Sequence, residues 1–597
     1  MIEMLKNIYK KIHIWRLRHV SARVYMLLLS IVVGLLSGMA AVALKTVVHL
    51  LVVWLQNVRQ PGLWGLNVLW LLLPAVGILL TVLYERFIAG GSIGHGIPSV
   101  LLAISRRNGR LPLRNVFNPL VASSLTVGFG GSVGLEAPIA SAGSAIGSNV
   151  GQFCRLSAPQ IKLLLGCGAA GAIAGIFKAP IAGALFVVEV LMFDLNKTSA
   201  VPLLFSSLSA ATVAYFLMGT GVQFAFTVVE PFTLSQIPFY VVLGVVCAAC
   251  SIYFLRVDDA VERHFERRGK VQRMLLGGLL LGCMVLLFPP LYGEGYGSIT
   301  ALMGGSSAVL FEHSPFMVLE QYWWAPIAML LVLILLKAVA TAVTIGSGGV
   351  GGTFGPSLVL GGFCGYMVAL ACNATGLTCQ STANFALVGM AAVMTGVMQA
   401  PFMATLLIAE ITGGYALLVP LLITSAVTFI CVSPFEKHSI YARKLAAHGD
   451  LLTHDKDSSA WNLINMRRLI ENNFATLREG DSLADLVEAV KRSHRNLFPV
   501  LAADGHFRGL VVLDDVRSII FQPELYATVK VEELMHPLTD DDIVSLEDSP
   551  MEVVRKFRAT ERYNLIVVDS EGRYVGFLSR ANTFSAYRRF ISDTSDE

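Results

Sequence analysis

The chain has 597 residues, of which 55% are hydrophobic and 14% are charged, and its mean hydropathy is +0.65. A soluble globular chain carries about 25% charged residues, so this composition excludes an ordinary cytosolic protein. The charges are concentrated near one end: residues 437–597 hold 47 of the 86 charged side chains, whereas residues 24–436 hold 32. The sequence therefore predicts a large membrane domain followed by a soluble domain.

Basic residues cluster beside the apolar runs rather than on one soluble surface. Six of them lie within residues 1–23, before an apolar run from Val24 to about Leu55 that is too long for the core of a signal peptide. This pattern predicts a cytoplasmic N-terminal segment and a retained membrane helix. Residues 24–436 can supply on the order of 10 to 18 membrane segments, so we expect an integral protein of the bacterial inner membrane. The basic clusters suit lipid headgroups, and we expect no nucleic-acid partner.

The membrane region contains an internal repeat. When the first half is laid over the second with Gly134 on Gly352, eight positions carry the same residue type in both halves, and six further positions coincide after a small change of offset. Such repeats are typical of transporters, in which broken helices of both halves meet at the binding site. We therefore expect repeat 1 at 24–195 and repeat 2 with a final helix at 196–435. The clearest matched pairs are Gly134 with Gly352, Pro138 with Pro356, Gly143 with Gly361, Gly168 with Gly389, Pro180 with Pro401 and Glu189 with Glu410.

Each repeat contains a glycine-rich loop that leads into a helix with proline in its first turn, at Gly134–Pro138 and at Gly352–Pro356. A helix that begins inside the membrane has free N–H groups at its start, and no water is present to satisfy them. The helix dipole adds about half a positive charge at the same place. An anion can satisfy these groups without any lysine or arginine, so the two loops predict an anion site.

Glu136 lies at the first of these helix starts. A carboxylate at that position is costly within a membrane and is usually functional. It can compete with the anion for the same N–H groups, so we expect protonation of Glu136 and anion binding to be coupled. The alternative is a glutamate that only caps its helix.

Three ordered segments, Gly94–Pro98, Gly134–Pro138 and Gly352–Pro356, together with the duplicated halves, resemble the CLC family of chloride channels and chloride/proton antiporters. The resemblance implies an all-α polytopic membrane protein with an inverted-repeat fold of broken and tilted helices. It also implies a homodimer in the lipid bilayer with a separate pore in each subunit, for chloride and, in an antiporter, for protons. Glu136 is then the gate and the external proton acceptor. The residues that the resemblance assigns to anion binding are His95, Gly96, Ile97, Gly134, Thr353, Phe354 and Tyr441.

Two differences from the family pattern bear on the mechanism. His95 stands where the family usually has a serine, so nitrate, fluoride or bicarbonate are alternatives to chloride. Val190 stands where many antiporters carry a second proton-transferring glutamate, so a passive channel gated by voltage or pH and an antiporter both stay open. The neighbouring Glu189 is either a proton relay or a helix-end charge. Lys337 interrupts an apolar run, and we expect its side chain to reach the cytosolic edge of the membrane.

The soluble part contains a second, smaller repeat, in which Gly505 lies over Gly572 and Gly509 over Gly576. Each copy predicts a helix, a strand, a tight turn, a strand and a helix. The two copies, at 466–530 and 531–590, resemble a tandem pair of cytoplasmic CBS domains with an α+β fold. They follow a linker at 436–465 and precede a tail at 591–597.

CBS pairs can bind adenine nucleotides, which makes a nucleotide sensor one interpretation of this domain. Asp515 in the first copy and Ser579 in the second each retain half of the polar pattern used for such binding. The other interpretation is a structural or dimer-stabilising module. No cofactor is required by either, and chloride is expected as the bound substrate.

Two other function classes fit the sequence less well. A cation or divalent-metal transporter with a CBS pair needs acidic clusters within the membrane, and lone glutamates on separate helices are poor ligands for a divalent cation. The nine cysteines show no metal-site spacing, and we interpret Cys247 and Cys250 as packing residues. A membrane enzyme needs a nucleophile beside a base, and neither helix break offers such a pair. We therefore predict a transport protein without a metal site rather than an enzyme.

Overall fold

The computed structural model describes residues 19–58, 69–91, 96–194, 196–219, 221, 232–376, 380–447, 461, 464, 466–536, 539–560 and 562–594. The chain forms two compact units, Met1–Leu451 and Leu452–Glu597. The described part of the first unit is helical, whereas the second combines helices with strands. The predicted fold class, a helical membrane domain with an α+β tail, is confirmed.

The helices of the first unit differ widely in length. Seven helices of the described part are long and apolar enough to cross a membrane, and several others are shorter apolar helices of 10–17 residues. Helices of that length are too short to span a bilayer alone, as expected of broken membrane segments. The helices are α1 (Ala22–Val58), α2 (Leu69–Phe87), α3 (Ile97–Arg106), α4 (Arg114–Gly128), α5 (Glu136–Phe153), α6 (Ala158–Phe177), α7 (Pro180–Glu189), α8 (Lys197–Met218), α9 (Ile237–Glu266), α10 (Lys270–Leu287), α11 (Tyr296–Met303), α12 (Ala325–Gly346), α13 (Phe354–Ala374), α14 (Thr382–Met398), α15 (Pro401–Ile411), α16 (Leu418–Val432) and α17 (Arg443–Ala447).

The internal repeat of the sequence is visible in the order and breaks of the helices. Lys178 follows the last residue of α6 and Gln399 follows that of α14, and both are left-handed, with φ values of 57° and 54°. In both repeats an Ala-Pro pair follows, and proline begins the next short helix because its missing N–H is not needed there. The same break therefore occurs at the same place in each half.

Glycine residues allow close packing of α5 against α6 and of α13 against α14. A Cβ atom on Gly143 of α5 would lie 2.3 Å from the carbonyl oxygen of Gly168 in α6, and one on Gly361 of α13 would lie 2.3 Å from that of Gly389 in α14. These are the glycines that the repeat pairs in the sequence. Small residues allow helix backbones to approach closely in a membrane, where packing is a main source of helix association.

The described part of the second unit contains two sheets. The first sheet has the order β1 (Ile470–Glu471), β7 (Tyr574–Ser579), β6 (Asn564–Val568), β5 (Ile543–Ser545), and the second has the order β2 (Leu477–Arg478), β3 (Leu497–Leu501), β4 (Phe507–Val512). The hairpins β3–β4 and β6–β7 are antiparallel and begin at Leu497 and Asn564, which are equivalent positions of the smaller repeat. Strand β1 lies before the first hairpin in sequence but pairs with β7 of the second copy, so the two copies share their strands.

The helices of this unit are α18 (Leu483–Arg492), α19 (Leu513–Val516), α20 (Val531–Leu534), α21 (Pro550–Thr560) and α22 (Arg580–Thr594).

Replacement of Gly168 by alanine should destabilise the membrane domain. The new Cβ atom would lie 1.9 Å from the carbonyl oxygen of Gly143, so α5 and α6 would have to separate. Overpacking of this kind costs about 1–3 kcal/mol. The measurement is thermal unfolding of the purified protein in detergent. Gly269→Ala is the control, because nothing lies within 4 Å of its added Cβ and its φ is −64°. Equal melting temperatures for the two variants would contradict the packing argument.

Candidate anion site and gate

The two glycine-rich loops of the membrane domain meet directly. The N–H of Gly134 donates to the carbonyl oxygen of Gly352 at 2.8 Å, and the N–H of Gly352 donates to that of Gly134 at 2.8 Å. A Cβ atom on Gly134 would lie 2.9 Å from the backbone nitrogen of Gly355, so glycine is required for close approach here. This two-bond bridge brings the starts of α5 and α13 together, as the repeat predicts.

The Glu136 carboxylate lies against the start of the other repeat's helix. Its side chain is buried, with 1% exposed. The Oε2 atom accepts a hydrogen bond from the N–H of Gly355 at 3.2 Å, and the Oε1 atom accepts one from the hydroxyl of Tyr296 at 2.6 Å. The carboxylate therefore accepts from an N–H group in the first turn of α13, where the sequence predicts an anion site.

Two further polar residues at this point were missed by sequence reasoning. Tyr296 begins α11 and contacts the gate candidate, and Glu294 accepts a hydrogen bond at Oε1 from the N–H of Leu135 at 3.3 Å. Both belong to a break at which Gly293 and Gly295 adopt φ values of 62° and 93°. The alternation of glycine with Glu294 in an apolar region is the signal that could have identified them.

The expectation for Lys337 is wrong. Its side chain does not reach a membrane edge but is fully buried in α12, with 0% exposed. The ammonium donates to Ser132 Oγ at 2.9 Å and to the carbonyl oxygen of Gly293 at 3.0 Å. Hydrophobic surroundings favour an outward-reaching lysine only where no internal acceptors are available, and here two acceptors lie next to the glycine-rich loops.

A cavity of about 90 Å³ opens beside the paired loops. Thr353, at the start of α13, lines it, and the Thr353 hydroxyl donates to the hydroxyl of Tyr441 at 3.5 Å. Two acidic residues of α9, Asp258 and Glu262, also line this space. Neither Glu136 nor Tyr296 is among its lining residues. The lining residues that belong to the helix starts or to the segment of Tyr441 include Gly96, Ala137, Pro138, Gly352, Thr353 and Tyr441.

The remaining predicted anion ligands are distributed around this point. Gly96 caps α3 with a φ of 57°, and Ile97 is buried in the first turn of that helix. Phe354 is buried, and its ring stacks on Phe177 with 5.6 Å between centroids, so only its backbone is suited to hold an anion. His95 lies outside the described residues.

The segment that carries Tyr441 is held to α9 by charge. The guanidinium of Arg443 donates to Asp259 Oδ2 at 2.5 Å and also to the carboxylate of Glu436. Tyr441 itself is buried, with 5% exposed. These ion pairs fix the chain on both sides of Tyr441, so its hydroxyl is positioned at the cavity.

Glu189 and Glu410 each cap the start of the helix that carries the other. The Glu189 carboxylate at the end of α7 accepts from the N–H groups of Phe402 and Met403 in α15, at 3.2 and 2.7 Å. The Glu410 carboxylate in α15 accepts from those of Ile181 and Ala182 in α7, at 3.0 and 2.8 Å. The reciprocal geometry favours the helix-end interpretation of Glu189, and its role as a relay stays a prediction.

The predicted nucleotide residues of the second unit have partners within the chain. Asp515 lies in α19, and its Oδ2 atom is 2.9 Å from Nε2 of His536. Ser579 ends β7, and its hydroxyl accepts from the N–H of Asn582 at 3.5 Å. The Asn582 amide in turn donates to Glu471 at 2.5 Å.

Residues 76–433 match the family described as voltage gated chloride channel, which is more than half of the chain. The chain belongs to this family. Residues 466–522 and 531–588 each match the CBS domain. Among similar proteins, an H(+)/Cl(−) exchange transporter ClcA of Vibrio cholerae is 26% identical over 440 residues, which is 70% of this chain and 88% of the relative. The chloride channel protein CLC-f of Arabidopsis thaliana is 24% identical over 563 residues, or 83% and 69%.

The chain also shares its fold with a solved structure. The chain is similar to a slow cyanobacterial Cl⁻/H⁺ antiporter with a TM-score of 0.60 and 24% identity. The match covers 72% of this chain and 98% of the other. This confirms the resemblance to the CLC family and its fold.

Substitution of either Glu189 or Glu410 by glutamine should destabilise the membrane domain to a similar extent. Each change removes a charge that two backbone N–H groups share, and hydrogen bonds to charged groups contribute about 1.5–3 kcal/mol. The measurement is the melting temperature of each purified variant in detergent. A Glu189→Gln variant that melts like the wild type, with the melting temperature of Glu410→Gln lowered, would contradict reciprocal capping.

Proposed function

We propose that this protein transports chloride across the membrane along a path that the Glu136 carboxylate gates. The observation that carries the proposal is the hydrogen bond from the N–H of Gly355 to the Glu136 carboxylate. That N–H lies at the start of a helix inside the membrane domain, so a small anion can take the place of the carboxylate there. Protonation of Glu136 removes its negative charge, weakens its hold on the helix and leaves the N–H groups to chloride.

The path continues from the gate to the cavity. Thr353 and Tyr441 offer hydroxyl groups to this cavity, and Thr353 directly precedes α13, whose Gly355 N–H donates to Glu136. Uncharged donors of this kind hold an anion without trapping it, which conduction requires. We expect chloride as the anion, with nitrate, fluoride or bicarbonate as alternatives because His95 replaces the usual serine.

Both modes of chloride movement are consistent with the site. Val190 is buried, with 1% exposed, and offers no proton acceptor where many antiporters have a glutamate, which supports a passive channel gated by voltage or pH. Glu136 supports either mode, since an antiporter uses the same carboxylate to carry a proton. The relatives include one named as an exchanger and one named as a channel. A divalent-cation transporter receives no support from the family match.

Three expectations extend this proposal. We expect a homodimer with one path in each subunit, in the bacterial inner membrane, with the N-terminus and the CBS pair in the cytoplasm. Adenine nucleotide at the CBS pair is the less supported alternative to a structural role, because Asp515 already contacts His536. No step of the transport itself requires a cofactor or an enzymatic reaction.

Replacement of Glu136 by glutamine tests the gate. Glutamine has nearly the same shape but cannot ionise, so we expect chloride efflux from liposomes to continue and to lose its dependence on pH. In the same liposomes, the reversal potential under a pH gradient distinguishes the two modes, since only an antiporter responds to the gradient. Glu312→Gln is the control, an exposed acid between α11 and α12. A pH profile equal to that of the wild type would contradict the gate.

Removal of the Tyr296 hydroxyl should favour the open gate. Tyr296→Phe takes away the hydrogen bond to Glu136 Oε1, and such a bond to a charged group contributes about 1.5 kcal/mol or more. We therefore expect about a tenfold increase in chloride flux at alkaline pH, where the gate is ionised. Tyr292→Phe is the matched control, because its hydroxyl donates to the carbonyl oxygen of Gly128 at 3.1 Å. Equal flux in the two variants would show that Tyr296 does not hold the gate.

A further inference from the structure

A second carboxylate lies next to the gate. Glu294 accepts a hydrogen bond from the N–H of Leu135, the residue directly before Glu136, at 3.3 Å. Slightly further along the chain, the hydroxyl of Tyr296 donates to the gate carboxylate at 2.6 Å. One short segment at the start of α11 therefore contacts both the backbone and the side chain of the gate region, and Glu294 is not among the residues that line the cavity beside Thr353.

The charges around Glu294 come from three helices and its own segment. Glu136 of α5 repels it, whereas Lys45 of α1 and Lys337 of α12 attract it. Lys337 also fixes the segment by its hydrogen bond to the carbonyl oxygen of Gly293. Tyr296 is the other titratable group of the segment and interacts with both carboxylates. Glu294 thus accepts a backbone hydrogen bond and is attracted by two lysines, and the gate carboxylate is the other acid of this group.

We propose that Glu136 and Glu294 bind the gating proton as a pair, so that release of the gate depends on both carboxylates. This rests on the proposed gate role of Glu136. Two neighbouring carboxylates repel each other when both are ionised, and binding of one proton relieves that repulsion. Titration in such a pair belongs to the two groups together rather than to either one. The negative charge of Glu294 therefore promotes protonation of Glu136 and allows the gate to leave Gly355 at a higher pH than it would alone.

The pair also offers a place for the proton after the gate has moved. Transfer breaks the O–H bond on Glu136 and forms one on Glu294, so the gate becomes a carboxylate again and can return to the N–H of Gly355. No other reactant is needed, and the total charge of the pair does not change. A proton added to the pair also compensates the negative charge of an incoming chloride.

Glu294→Gln tests the pair through the pH profile of chloride efflux from liposomes that contain the full-length protein. Without the neighbouring negative charge, protonation of Glu136 needs a more acidic solution, so we expect the midpoint of the profile to move down by about one pH unit. Glu294→Asp, which withdraws the carboxylate by one methylene group and keeps its charge, should move the midpoint in the same direction by less. Glu320→Gln is the control, an exposed acid between the same two helices, α11 and α12.

The outcomes separate this proposal from the gate itself. A profile that loses its pH dependence in Glu136→Gln and keeps the wild-type midpoint in Glu294→Gln and Glu294→Asp would overturn the pair and leave the gate intact. A wild-type efflux without any pH dependence would overturn both. If Glu294→Gln does not fold, judged by gel filtration, the Glu294→Asp midpoint decides: a midpoint equal to that of the wild type contradicts the pair.

Discussion

One constraint underlies this structure: the backbone N–H groups at the starts of helices inside the membrane domain need hydrogen-bond acceptors. Neither water nor a neighbouring turn can satisfy them, and a polar group left without a partner in such a place costs about 1–3 kcal/mol. In this chain, carboxylate side chains accept hydrogen bonds from such N–H groups. Glu136 accepts from Gly355 at the start of α13, and this contact places a negative charge at the start of that helix. In the proposed function, anion binding and gating both follow from this one requirement of the fold.

The same solution recurs at four helix starts, each time across the two repeats. Glu136 and Glu189 of repeat 1 accept from α13 and α15 of repeat 2. Glu410 and Glu294 of repeat 2 accept from the first turn of α7 and from Leu135, just before α5. The repeat is not symmetric at the gate, because Phe354 stands at the position in repeat 2 that matches Glu136 in repeat 1. In the proposed function, Glu136 moves when the ion passes, whereas Glu189, Glu294 and Glu410 keep their hydrogen bonds between the two repeats.

Sequence reasoning identified the features that depend on local spacing. The repeat, the two glycine-rich loops and the position of Glu136 follow from glycine and proline positions, which fix where helices start and stop. Contacts made by distant segments could not be derived in this way. The approach of Glu294 to the gate region joins segments that lie far apart along the chain, and the burial of Lys337 depends on acceptors that only the fold supplies. A lysine in an apolar run looks the same in sequence whether it points inward or outward.

The most direct test of this account is the position of a bound anion. Bromide scatters X-rays anomalously, and crystals of the Glu136→Gln protein grown in bromide would show where it binds. The account predicts an anomalous peak within hydrogen-bond distance of the backbone N–H groups at the start of α13, between Thr353 and Gly355. Bromide found only at lysine or arginine side chains, with those N–H groups left to water, would contradict it.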